Sequence, residues 1–151
     1  MSTTEAQITS IAGLLSTLAL TSPVQTVDIY KQYTSKPDDN GNYPYLFISD
    51  GTVRYEDIDF ETYKVKRSYK LSIVTQFEPN QISVRIAEAQ LRDLLNKVEN
   101  LLKTKASRNS GGWQDLKLIS TSEPFNGSEV SMNDNTVVRE ITIEIEDTED
   151  N

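Results

Sequence analysis

The chain has 151 residues, 15 basic and 23 acidic, with no histidine and no cysteine, for a formal net charge of -8. Those absences exclude a Ser-His-Asp or Cys-His constellation, a zinc site of the usual nitrogen and sulfur donors, and any disulfide frame. The length suits one domain, and a hydrophobic fraction of 36%, against roughly 45 to 50% for ordinary soluble domains, points to a thin two-layer fold with much surface.

Ile8, Ile11, Ala12, Leu15, Leu18 and Ala19 recur at three- and four-residue spacings, which predicts a helix over residues 4–20 with Ser2-x-x-Glu5 as its capping box. No positive charge precedes Lys31, and Thr and Ser interrupt the apolar residues, so neither a signal peptide nor a membrane span is expected and synthesis in a cytoplasm is the default. Pro23 ends the helix, and Val27 and Ile29 then alternate with Asp28 and Tyr30 in a strand ending near Tyr33. Residues 36–42 are turn formers. Tyr45 to Ile48 predict a short apolar strand closed by the turn signal Asp50-Gly51, and an acidic, weakly apolar stretch follows over residues 54–62.

The clearest period-two pattern comes next. Tyr63, Val65, Tyr69, Leu71, Ile73 and Phe77 share one face, while Lys64, Lys66, Ser68, Lys70, Ser72 and Gln76 share the other. After Pro79 a long amphipathic helix is predicted over residues 83–103, with Val84, Ala87, Leu91, Leu94, Leu95, Val98, Leu101 and Leu102 on its apolar side. A basic loop over residues 105–112, a strand over 116–121, a long connection over 123–135 and a last strand over 137–146 complete the chain. In that last strand Val137, Ile141, Ile143 and Ile145 face inward and Glu140, Thr142, Glu144 and Glu146 outward. The order predicts an α+β fold: a mainly antiparallel sheet with the N-terminal helix and one long helix packed on one face. A single domain over residues 1–146 is expected, followed by an acidic, disordered tail over residues 147–151.

The glycines form neither a P-loop nor a G-x-G-x-x-G fingerprint. The densest carboxylates are Glu56, Asp57, Asp59 and Glu61; in an extended strand Asp57, Asp59 and Glu61 would share a face in steps of about 7 Å, an arrangement that suits either an oxygen-ligated divalent cation or a solvated edge strand. All seven tyrosines lie between residues 30 and 69, as strand residues on a half-buried surface or as a contact patch. A monomeric binding module would use them in the second way. Charge is segregated: residues 1–60 carry a net -5, residues 61–110 a net +5 and residues 111–151 a net -8. Pairing between neighbouring strands would absorb this internally. Alternatively Lys64, Lys66 and Lys70 of one copy meet an acidic face of the next, a head-to-tail contact that closes into a ring. The negative total argues against a dedicated nucleic-acid binder.

Two stretches carry a family resemblance. One is Tyr43-Pro-Tyr-Leu-Phe-Ile48 followed, after the acidic segment, by Tyr63-Lys-Val-Lys-Arg-Ser-Tyr-Lys-Leu-Ser-Ile-Val74 and the amphipathic helix; the other is the closing strand Val137-Val-Arg-Glu-Ile-Thr-Ile-Glu-Ile145 with its long preceding loop. With the N-terminal helix, this layout resembles the tail terminator (tail completion) proteins of long-tailed bacteriophages over about residues 4–146. The resemblance is one of layout and not of an invariant motif.

It implies a small α+β structural subunit of the virion, without catalytic residues or cofactors, that forms a six-membered ring on the head-proximal end of the tail tube. Its partners would be further copies of itself, the tail tube protein and a neck or connector protein, with no membrane. DNA would pass through the lumen without specific binding, which an acidic lining favours. Glu140, Glu144, Glu146, Glu56, Asp57 and Asp59 are the candidate lining residues, Lys64, Lys66 and Lys70 the candidate subunit-interface cations, and Lys105, Arg108 and Trp113 the candidate partner-contact loop. The alternatives are another neck subunit, such as a head-closure or head-tail joining protein, and a carboxylate-dependent metal-binding protein.

Overall fold

The computed structural model describes residues 3–21, 24–33, 35, 43–59, 61–76, 81–104, 113–130 and 135–150. Its elements run α1 (Thr3–Leu14), β1 (Ala19–Thr21), β2 (Val24–Thr26), β3 (Asp28–Lys31), β4 (Tyr45–Asp57), β5 (Thr62–Gln76), α2 (Gln81–Leu102), β6 (Asp115–Thr121), β7 (Phe125–Asn126), a 3₁₀ turn (Gly127–Val130) and β8 (Thr136–Asp150). β1 and β2 form a small antiparallel pair of their own. The main sheet has the order β3-β4-β5-β8-β6, with β7 added beside β8. Its strands are antiparallel except for β3, which runs parallel to β4. The fold is α+β.

Strand alternation builds the core. Tyr69, Leu71 and Ile73 of β5 and Ile141, Ile143 and Ile145 of β8 point to one face, where Ile8 and Ile11 of α1 and Leu91, Leu94, Leu95, Val98 and Leu102 of α2 close over them. The α2 residues recur at three- and four-residue spacings and so form one stripe. Each fully buried Leu or Ile is worth about 1.5–3 kcal/mol relative to exposure, so this stripe is what anchors the helix to the sheet. Lys97 Nζ adds a bond of 2.7 Å to the carbonyl of Ala19, tying α2 to β1. Within the core, the Tyr69 hydroxyl donates to the side-chain carbonyl of buried Gln7 on α1.

Several sequence expectations are corrected. The first helix stops at Leu14 rather than near residue 20: Leu15 and Leu18 remain buried, but they sit in a tight turn, and Ala19 is already in β1. Asp50-Gly51 is no hairpin turn. β4 passes straight through it with a register shift between Asp50 and Val53, a bulge that leaves β4 paired to β5 as far as Asp57. A Cβ on Gly51 would stand 2.5 Å from Ser68 Oγ and 3.2 Å from the Ser68 carbonyl oxygen, so a larger residue would require the Ser68 hydroxyl to turn and the strands to give slightly.

The chain reverses instead between Asp57 and Thr62, where Asp59 Oδ1 accepts the backbone N–H groups of Glu61 and Thr62. The tail is no disordered appendage either. β8 continues to Asp150, opposite Thr62, because the lengthened β4–β5 arm offers it backbone partners beyond Glu146. The loop over residues 105–112 lies outside the described residues.

Candidate functional site

The sheet has two unlike faces. α1 and α2 cover one; the other carries no helix among the described residues. At one end of that second face Tyr45, Val74 and Val138 form a small buried cluster, flanked by Tyr30, Tyr43, Phe47 and Phe125. Tyr30 and Tyr45 meet edge to face at 5.3 Å, and Tyr43 lies 5.3 Å from Tyr45. Burial first, and then Tyr43 and Tyr30, push the Tyr45 phenol up to about 12. The tyrosines thus divide: Tyr69 is core, these three form the outer cluster, Tyr55 and Tyr63 meet on the arm, and exposed Tyr33 donates its hydroxyl hydrogen to Asp50. That bond is the main reason the Tyr33 phenol is held above its ordinary value.

The rest of the helix-free face is charged, and its charges are matched. Alternation puts Arg54 and Glu56 of β4, Lys64, Lys66 and Lys70 of β5, Glu140, Glu144 and Glu146 of β8, and Asp115 and Lys117 of β6 on it together. Arg54 meets Glu144 at 2.6 Å, Lys66 meets Glu56 at 3.3 Å, Lys70 meets Glu140 at 3.4 Å, Lys64 meets Glu146 at 3.6 Å and Lys117 meets Asp115 at 4.0 Å. The basic middle and acidic end of the sequence are therefore brought side by side within one sheet. Of the two readings of the charge segregation, this is internal pairing.

The sequence-predicted residues separate accordingly. Glu56, Glu140, Glu144 and Glu146 do share one face, but each sits against a cation, so the face is balanced and not acidic. Lys64, Lys66 and Lys70, expected at a subunit interface, are those cations. Asp57, opposite Tyr63, takes the other face, and Asp59 is committed to the hairpin turn. Glu56, Asp57, Asp59 and Glu61 consequently do not converge: the strand ends at Asp57, and the extended spacing that would have aligned Asp59 and Glu61 with it is lost. Among the described residues no cluster of three carboxylates is placed to hold a metal ion.

Trp113 is no partner contact. Its side chain is 4% exposed and belongs to the main core, since an indole just ahead of β6 gains more from burial than from solvent. Lys105 and Arg108 lie outside the described residues.

Sequence reading missed the exposed arm. Val53 and Tyr55 of β4 and Ile58 at its turn are 43%, 63% and 52% exposed, beyond the reach of the helices. The signal available was the run of strand-forming residues continuing past Gly51. An open cleft of about 550 Å³ lies between the turn after α1 and the end of α2, lined by Thr17, Leu18, Ala19, Asn100 and Leu101. Lys97 on its wall is held by the Ala19 carbonyl and by Asp93 at 3.0 Å, so the cleft presents no cation for an anionic ligand from that side chain. No helix among the described residues is long and apolar enough to cross a membrane. Compared with known proteins, the chain matches no protein-family model and no curated protein significantly.

Proposed function

We propose that this chain is a structural subunit of the tail terminator kind. Copies form a ring, hexameric by the resemblance in layout, that caps the head-proximal end of a phage tail tube, ends its polymerisation and offers its far side to the neck. The observation that supports this best is the helix-free face of the sheet. β5 and β8 are 15 residues each, about 50 Å at roughly 3.3 Å per residue, long enough to form the wall of a channel. With the helices outward, that wall is strand-built and charged.

The matched charges change how such a wall would treat DNA. Binding to phosphates is driven by cations that release counterions, and a cation already beside a carboxylate contributes little to that release. Arg54, Lys64, Lys66, Lys70 and Lys117 each have such a neighbour on this face. DNA would be neither held nor strongly repelled, which suits a conduit. The acidic lining expected from the sequence is replaced in this reading by a balanced one, and the reading places the subunit in the virion at the top of the tail.

The test is to add the purified chain to growing tail tubes and image them by negative stain. Arrested growth and a ring at one end are expected. Binding to a portal or connector, with no effect on tubes, would favour a head-closure or joining subunit; no effect on either would overturn the proposal.

A further inference from the structure

The sheet has two edges that carry no further strand among the described residues, and they are shaped to meet. On one side β3 covers β4 only from Tyr45 to Ile48, its last pair being Lys31 with Ile48. Beyond that point residues 51–57 of β4 are all exposed. On the other side β6 pairs with β8 along one edge and leaves its second edge open from Asp115 to Thr121.

The registers fix the relative heights of these two edges. Asp115 is opposite Glu146, Glu146 opposite Lys66 and Lys66 opposite Arg54, so Asp115 and Arg54 stand on one transverse row. Likewise Thr121, Ile141, Leu71 and Ile48 share a row. The open part of β6 is thus level with the open part of β4 from Asp115 to Ser120, and Thr121 stands at Ile48, the last β4 residue that β3 covers. β6 is antiparallel to β8, β8 to β5 and β5 to β4, so a β6 laid beside the β4 of another copy in a continuous sheet would run antiparallel to it.

We infer that copies of this chain join head to tail by sheet extension: β6 of one copy adds to β4 of the next, directly beyond the end of β3. This deepens the ring reading of the preceding subsection and rests on it. Two features select the register. Level alignment sets Asp115 against Arg54 on the same face, opposite charges at a strand-to-strand spacing. A slip of two residues towards the arm tip sets Asp115 against Glu56 and Lys117 against Arg54, like against like. Level alignment brings Thr121 to the height of Ile48, which Lys31 already pairs, so the added pairing runs from Asp115 only as far as Ser120; a slip of two the other way carries Ser120 as well as Thr121 into the part of β4 that β3 covers. A slip of one turns every side chain to the wrong face.

Exposed Val53, on the Arg67 side of β4, then stands level with Leu116 of the neighbour, on the same face of the joined sheet. An open strand edge with apolar side chains invites such pairing, which here is most regular at Asp115 and Leu116, before the register shifts at Asp50/Val53 of β4 and Leu118/Ser120 of β6; the contact is heterologous, so it leads to rings and not to closed pairs.

The absence of native cysteine makes the test clean. Within one chain Arg54 and Asp115 are three strand spacings apart, about 14 Å, too far for a disulfide. Mild oxidation of the R54C/D115C variant should therefore give a ladder of covalently linked oligomers, while R54C alone and D115C alone give none. Far-UV circular dichroism checks that each variant folds. A second route avoids the thiols: R54D and D115R should each weaken self-association roughly fivefold or more, and the R54D/D115R double variant should restore it.

Dimers from R54C alone would show β4 pairing with β4 and overturn the inference. Rings seen by native mass spectrometry without a ladder or a charge-swap rescue would overturn edge pairing and leave the ring reading standing. A chain that is monomeric and uncross-linked at high concentration, and forms no ring on tail tubes, would overturn both.

Discussion

The guanidinium of Arg54 on β4 reaches across β5 to the carboxylate of Glu144 on β8, 2.6 Å away, joining two strands that share no backbone hydrogen bond. Arg54 is 62% exposed and Glu144 12%, so the pair lies on the wet side of the sheet. Pairs of this kind are worth about 0–1 kcal/mol and are screened by salt. Glu144→Gln should therefore lower the unfolding free energy by less than about 1 kcal/mol in low salt, and by less still in 1 M salt. Urea titrations at the two ionic strengths measure this. A larger loss that is insensitive to salt would mean that the ladder holds the fold together.

Tyr69 and Gln7 form the opposite case, a polar pair inside the core. Tyr69→Phe leaves the Gln7 carbonyl buried with its main donor gone, at a cost of about 1–3 kcal/mol. Adding Gln7→Leu to that variant removes the orphaned acceptor and should recover part of the loss. Denaturation of the two single variants and the double variant measures the coupling. Additive losses would show that the pair does not act as a unit.

Alkaline pH should weaken the fold. The phenols of Tyr69 and Tyr45 are raised from 10.0 to about 12, in both cases chiefly by burial. In the folded state they keep their protons where an unfolded tyrosine has lost them. Their contribution is present in full below pH 10 and is lost as pH rises through the window from 10 to about 12. Unfolding free energy should fall across that window, and tyrosinate absorbance should show late-titrating phenols. Seven tyrosines titrating together at the ordinary value would contradict it.

Trp113 distinguishes core from contact. Trp113→Ala should cost about 3–5 kcal/mol of stability, as for other buried aromatics, and any loss of assembly should follow from that. Calorimetry alongside an assembly assay separates the two. A stable variant that fails only in assembly would restore the contact role.

The alternation of β5, the stripe of α2 and the inward isoleucines of β8 were legible in the sequence, because each is a local period impressed by one buried face. The passage of β4 through Asp50-Gly51 was not. A two-residue turn signal is also local, but here it is overridden by pairing to β5, and Gly51 serves close approach to Ser68. The charge ladder was half legible. The faces of Lys64, Lys66, Lys70, Glu140, Glu144 and Glu146 followed from period two, whereas their pairing depends on the register between β5 and β8, which no single strand encodes. Trp113 was misplaced because it follows a polar loop, while its burial in the main core is a tertiary feature that no local period announces.

If copies of this chain form a ring as proposed, their helix-free sheet faces should line its channel. Single-particle imaging of the assembled ring, alone or on a tail tube, tests it most directly. The expected result is a closed ring whose lumen is lined by the strand face bearing Arg54, Lys70, Glu140 and Glu144, with α1 and α2 on the outside. A ring lined by the helices, or a chain that stays monomeric with and without tube, would contradict it.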